Sequence, residues 1–224
     1  MTFLYYFSND IKKVILNYIF FKPKNNNELY NAVNLWCLNK VKAKYIYGDI
    51  NDWDTSLITN MSRLFYNHID FNDNISNWNT SQVTDMSYMF THCYDLNQSF
   101  SKWDVSNVTN MEGMFADCSN FNQDLNNWNV SKVTNMNSIF RYCPFFNGNI
   151  QNWDVSSVEN MEGMFFQAEH FNINIGNWNV SNVINMYDMF NGCFEFDQDL
   201  NKWNVFNVMN MEYIFHYCMN SINF

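Results

Sequence analysis

The sequence predicts an α/β fold. It is a solenoid of about seven 25-residue coils, each a strand followed by a short helix, with the strands in a parallel sheet and helices capping the N-terminal end. Three observations carry this expectation. Seven tryptophans recur at a spacing of 25 residues, from Trp53, Trp78, Trp103 and Trp128 to Trp153, Trp178 and Trp203. Eight residues after each Trp stands a Met, from Met61 to Met211, and four residues after the Met stands a Phe, from Phe65 to Phe215. No residue is inserted between copies. The division that follows is a helical cap over 1–49 and a repeat solenoid over 50–224.

The cap comes first. Ser8-Asn9-Asp10 followed by Ile11, Val14, Ile15, Tyr18 and Ile19 reads as a capped amphipathic helix, broken at Pro23 and Asn25-Asn26-Asn27. A second helix is expected from about Glu28, with Leu29, Ala32, Val33, Trp36 and Cys37 on one face. Such helices suit the first hydrophobic rung, which needs a cover.

Within each copy the Trp segment alternates. In Trp103-Asp104-Val105-Ser106-Asn107-Val108 apolar and polar residues take turns, which argues a short strand. The column before the Met is Asn or Asp throughout, from Asn60 to Asn210, and reads as a helix N-cap. Met111, Met114, Phe115 and Cys118 then fall at i, i+3, i+4 and i+7, one face of a two-turn helix. Phe121 and Leu125 lead back to the next Trp. Five of the six cysteines share the helix column, with Ala168 interrupting it, so they read as buried free thiols. At the far end Ile222 and Phe224 are expected to fold over the last rung; an end left open would be an edge for a homodimer.

Charge is uneven. Residues 1–50 hold seven Lys against Asp10, Glu28 and Asp49; residues 51–224 hold five basic and nineteen acidic side chains, and the whole chain carries −10. An acidic repeat body is a poor binder of nucleic acid. No run approaches the ~20 apolar residues of a membrane span, and the opening Met1-Thr2-Phe3-Leu4 lacks the basic leader of a secretion signal. The expectation is an intracellular protein, or one delivered by another route.

Catalytic, metal and cofactor sites are not expected. His68, His92, His170 and His216 fall in different columns, no C-x-x-C pair exists, and no glycine-rich phosphate loop appears. The informative positions are the variable ones. Tyr187, Phe194, Phe206, Tyr213 and Tyr217 gather in the last two copies and, with Phe224, form the candidate partner-binding residues.

The segment Trp103-Asp104-Val105-Ser106-Asn107-Val108-Thr109-Asn110-Met111-Glu112-Gly113-Met114-Phe115, with Cys118 and Phe121-Asn122-Gln123, closely resembles the repeat of BspA-like leucine-rich-repeat proteins. This is the 25-residue repeat of a domain of unknown function common in mycoplasma surface lipoproteins, with similar repeats in other bacteria, protists and large DNA viruses. The resemblance covers residues 50–221. It implies a leucine-rich-repeat-like solenoid with a role in adhesion or protein recognition, and it brings no catalytic residues. Asn-rich, Lys-over-Arg usage and the missing signal make the chain look most like a large-DNA-virus member. Residues 7–19 faintly resemble an F-box-like segment.

The function expected is therefore non-catalytic protein–protein recognition, with the partner unknown. The alternative is a structural protein that assembles end to end, for example in a virion, and a weaker one is a ubiquitin-ligase adaptor.

Overall fold

A computed structural model describes residues 21–219. The expected first helix around residues 8–19, Ile222 and Phe224 lie outside the described residues.

Two helices open the described chain. Helix α1 spans Asn26–Leu38 and α2 spans Lys40–Tyr47. Asn25 caps α1 by accepting from Glu28 N, while the Glu28 carboxylate accepts from Lys24 N at 2.7 Å, a reciprocal pair that satisfies free donors at the helix start. Leu29, Ala32, Val33 and Trp36 are buried on the face turned to the first rung. Trp36 meets the Trp53 ring edge-on at 5.8 Å and donates through Nε1 to Asp73 at 2.7 Å. The Asn26 side chain accepts from the N–H groups of Thr59 and Asn60.

The repeat region corrects the expected architecture. Among the described residues it contains no sheet and no strand–helix coil. Beyond a 3-10 turn at Ile50–Asp52, the rungs are built from turns joined by single parallel bridges: Asn60 to Asp85, Asp85 to Asn110, and so on to Asn210. Backbone bonds flank these bridges, such as Thr84 N to Thr59 O at 2.8 Å and Met61 N to Asp85 O at 2.9 Å.

The segment read as a helix is a run of consecutive turns. In residues 111–118 the N–H groups of Met111, Gly113, Phe115 and Asp117 donate to Asn135, Asn137, Ile139 and Arg141 carbonyls of the next rung at 2.7–3.0 Å. Those of Met114, Ala116 and Cys118 donate three residues back, to Met111, Gly113 and Phe115, at 3.0–3.1 Å. The backbone enters the left-handed region at Gly113 (φ 57°) and Asp117 (φ 59°), and at the matching places of the other rungs. Four-residue turns place side chains inward at i, i+3, i+4 and i+7, the same spacing a helix gives.

Size decides between the two. Rings of the Phe column stack at 5.3–5.9 Å from rung to rung, and stacked Trp pairs at 6.2–6.4 Å. An α-helix with its side chains is about 10–12 Å across and spends its N–H groups on itself. It fits neither that spacing nor those rung-to-rung bonds.

The predicted strand fails for a related reason. Asp104 Oδ1 accepts from Ser106 N at 3.0 Å and Val108 N donates to Val105 O at 2.9 Å, so the chain turns two residues after the Trp. The Asn and Asp residues read as helix caps are Asx turns as well, as in Glu112 N to Asn110 Oδ1 at 3.1 Å.

Side chains complete the joints between rungs. The Trp128 indole N–H donates to Phe100 O, and Trp153 to Leu125 O, always 28 residues back; Trp53 and Trp178 find no partner. The asparagine after the Phe or Leu of the second apolar column accepts from the N–H one rung on, as in Asn122 N to Asn97 Oδ1 and Asn147 N to Asn122 Oδ1. The Cys column has the same purpose. The thiols of Cys93, Cys118, Cys143, Cys193 and Cys218 donate to Phe carbonyls of the preceding rung at 2.9–3.1 Å. All six cysteines are free. Burial pushes the four innermost thiols well up, which keeps them protonated as donors.

Ala168 leaves the Phe140 carbonyl without such a donor. Ala168→Cys is expected to raise the unfolding free energy by about 1 kcal/mol, the usual net worth of one hydrogen bond. Urea titration measures it. A lower midpoint would show that the core has closed over the missing sulfur, where overpacking costs about 1–3 kcal/mol.

Candidate functional site: the aromatic side of the stack

The stack shows three sides, and two are occupied with holding it together. One carries the Ser and Thr columns, where the hydroxyls of Thr84, Thr109 and Thr134 donate to the preceding Thr carbonyl at 3.2–3.3 Å. Another carries the Asn ladder, reinforced by Gln98 and Gln123 Nε2 donating to Asn72 and Asn97. The third lies along the run of turns. There residue identity changes from rung to rung, and aromatic side chains stand exposed: Tyr66, Tyr94, Tyr142, Phe145, Tyr213 and Tyr217.

Charged groups sit among these rings. Arg63 lies over Tyr88 at 5.0 Å and Tyr66 at 5.6 Å; Arg141 lies over Phe166 at 3.9 Å and Tyr142 at 5.0 Å. The Tyr88 hydroxyl donates to Glu112, and its own pKa is pushed up to about 12 by burial and by that carboxylate. His170 stacks on Phe145 at 5.7 Å and meets Glu195 through Nδ1 at 2.6 Å. His92 stands 3.6 Å from Asp117, whose carboxyl burial pushes up.

The backbone makes room for this side chain layer. A Cβ on Gly113 would come within 2.6 Å of the Tyr88 ring, and one on Gly163 within 3.1 Å of the Arg141 guanidinium. Both glycines also hold a positive φ, 57° and 55°. At these two places a residue without a side chain lies against the Tyr88 ring and the Arg141 guanidinium of the preceding rung.

The expected partner-binding residues divide. Tyr187 and Tyr213 pack edge to face at 5.8 Å, Tyr213 meets His216 at 5.7 Å, and His216 meets Tyr217 at 3.9 Å, so these three tyrosines form one cluster. Phe194 is half-buried in the column that carries Tyr94. Phe206 does not join them. It stands 91% exposed in the Ser column, near Met209 at 89%, whose N–H donates to Ile184 O one rung back. Phe224 lies outside the described residues. The two arginines were missed, though they are the chain's only arginines and both fall between the Met and Cys columns.

A concavity of about 400 Å³ separates α1 from the first rung, lined by Trp36, Cys37, Lys40, His68, Asp70 and Asp73. Its central carboxylate is already taken: Asp73 accepts from both Trp36 and Lys40. Burial, helped by Asp73, pushes the Cys37 thiol up to about 12. Among the described residues no helix is long and apolar enough to cross a membrane, and no three His, Cys, Asp or Glu side chains are placed to hold a metal ion.

A family model described as "Mycoplasma protein of unknown function, DUF285" matches residues 34–148 and 124–223, two overlapping windows that take in every rung. No curated protein matches the chain.

Proposed function

The chain belongs to the DUF285 family, and from that membership and the geometry above we propose that it is a non-catalytic module that recognises another protein. One observation carries the reading: exposed aromatic residues that differ from rung to rung share one side of a scaffold whose other polar side chains bind the rungs together. Tyr and Arg set in a rigid surface are the side chains that dominate protein interfaces. Intracellular residence and a large-DNA-virus source belong to this proposal too. The Asn usage that suggested such a source has a structural reason of its own, in the ladders and Asx turns.

Affinity capture from host cells tests the reading, with three baits. Wild type is compared with Tyr94→Ser/Tyr142→Ser/Phe145→Ser and with Phe206→Ser. The expected result is a partner kept by wild type and lost by the triple variant, with unchanged thermal unfolding in both. A partner set identical across all three baits sinks the reading.

End-to-end self-assembly is the second reading. In the last described rung Val205, Val208, Met211, Phe215 and Cys218 are half-buried, whereas their counterparts Val180, Val183, Met186, Phe190 and Cys193 are buried. Solution mass across a concentration series separates the readings: a dimer or filament favours assembly, a monomer throughout excludes it. The weaker adaptor reading rests on residues 7–19 alone, and capture with and without residues 1–19 decides it.

A further inference from the structure

The same aromatic side says what kind of protein it fits. Among the described residues it holds both arginines and no lysine; the described lysines lie at positions 22–44 or at 102, 132 and 202 on the other sides. Its remaining charges are carboxylates, among them Glu112, Asp117, Glu162, Glu169, Asp188 and Glu212.

Twice on this side the chain fills an aromatic pair with its own cation. Arg63 lies over both Tyr66 and Tyr88, across the first two rungs, and Arg141 over both Tyr142 and Phe166, which meet edge to face at 5.2 Å across the fourth and fifth. A third pair, Tyr187 with Tyr213, spans the sixth and seventh rungs. Among the described residues no cation lies over it. Carboxylates stand around it instead: Glu162 and Glu212 hold the places of Tyr187 in the rungs on either side and Asp188 follows it in the chain, while burial and these charges push the Tyr187 pKa up. Tyr213 and Tyr217 are 55% and 66% exposed beside it.

Resting on the recognition reading above, we infer that this acidic aromatic cluster is a docking surface for a lysine- and arginine-rich segment of a partner protein. Ring faces and carboxylates both attract cations, through the ring quadrupole and through charge-assisted hydrogen bonds. The Arg63 and Arg141 pairs show the geometry that a partner's side chain would take over Tyr187 and Tyr213. Seven rungs at the spacing of parallel strands give a surface roughly 30 Å long, enough for an extended segment to lie along several rungs. The summed negative field of the repeat body steers a basic partner toward it.

Fluorescence anisotropy with a labelled lysine- and arginine-rich peptide tests this, against an acidic peptide of equal length and a set of soluble glycans. One variant removes charge from the site, Glu162→Gln/Asp188→Asn/Glu212→Gln; the side chains that donate to Glu162 and Asp188 keep an acceptor. A control removes the same charge from the other sides, Asp104→Asn/Asp124→Asn/Asp154→Asn, each giving the residue that a neighbouring rung already has in its column. A third variant is Tyr213→Ser/Tyr217→Ser.

The basic peptide is expected to bind wild type and the control alike, to weaken about tenfold or more in the other two variants, and to weaken with salt. Equal weakening in site variant and control would reduce the effect to net charge and overturn the inference. Binding of glycans alone, or no binding of the basic peptide, overturns it too. If the capture experiment still returns a partner in either case, this inference falls and the recognition reading stands. A variant that no longer unfolds cooperatively is replaced by its single substitutions, read the same way.

Discussion

Replacing Phe115 with alanine is expected to lower the unfolding free energy by about 3–5 kcal/mol, about a fifth or more of the roughly 5–15 kcal/mol that holds a typical domain. The ring is fully buried. It stacks on Phe90 at 5.7 Å and Phe140 at 5.8 Å, almost parallel to both, and lies 4.2 Å from Phe121. Those neighbours cannot slide in to fill the gap. Each is fixed by its own rung, and the rungs are fixed by bonds that the substitution leaves in place. Phe115 N still donates to Ile139 O, and Phe115 O still accepts from Cys118 N and the Cys143 thiol. The loss is therefore that of a ring from a rigid slot, at the upper part of the range. Guanidinium titration followed by Trp fluorescence gives the number. A loss under about 1 kcal/mol would mean that the ring column collapses freely, contrary to the packing described.

Much of this packing was legible in the sequence. Every inward column, from Trp through Val, Met, Phe and Cys to the second Phe, was readable from the repeat, and the structure buries them all in the inner rungs. The local conformation was not. Spacing at i, i+3, i+4 and i+7 says which side chains face the core, and a run of four-residue turns satisfies it as well as a helix does. Two signals were available. Gly113 and Gly163 stand in the middle of the supposed helix, where glycine costs about 1 kcal/mol, and most rungs offer three Asx turns, as Asp104, Asn110 and Asp124 do in one copy. Both favour turns. The site shows the same split. Composition singled out Tyr187, Tyr213 and Tyr217 as candidates, but composition cannot assign a side. Phe206 stands three residues beyond a Trp and so belongs to the Ser column, away from them. Arg63 and Arg141 became visible only when the rungs were stacked, because Arg141 meets Phe166 across a rung boundary.

Excising one whole rung is expected to leave a folded protein, while removing a single residue from a rung is expected to abolish folding. Deleting residues 104–128 joins Trp103 to Asn129. Every joint between rungs keeps its offset: 24 residues for Met61 N to Asp85 O, 25 for Thr84 N to Thr59 O, 26 for Asn107 Nδ2 to Ser81 O, and 28 for Trp to the carbonyl beneath it. Trp153 would then donate to Phe100 O, as Trp128 does now. Stability falls only by the share of one rung and its interface. Deleting Gly113 alone has the opposite consequence. Each following residue arrives one place early, so Ala116 takes the slot of Phe115 and Asp117 takes a place whose N–H turns back within the rung. The alternation between bonds to the next rung and bonds within the turn changes phase, much as a one-residue slip inverts a strand. A Phe ring leaves the core, the Cys118 thiol leaves the Phe90 carbonyl, and several rung-to-rung bonds break together. Their combined loss exceeds that of Phe115→Ala and matches the whole stability of an ordinary domain. Circular dichroism melting of both deletions decides the matter. Cooperative melting of the Gly113 deletion near the wild-type temperature would show that spacing does not fix the stack, and failure of the 25-residue excision to fold would show that the rungs are not interchangeable.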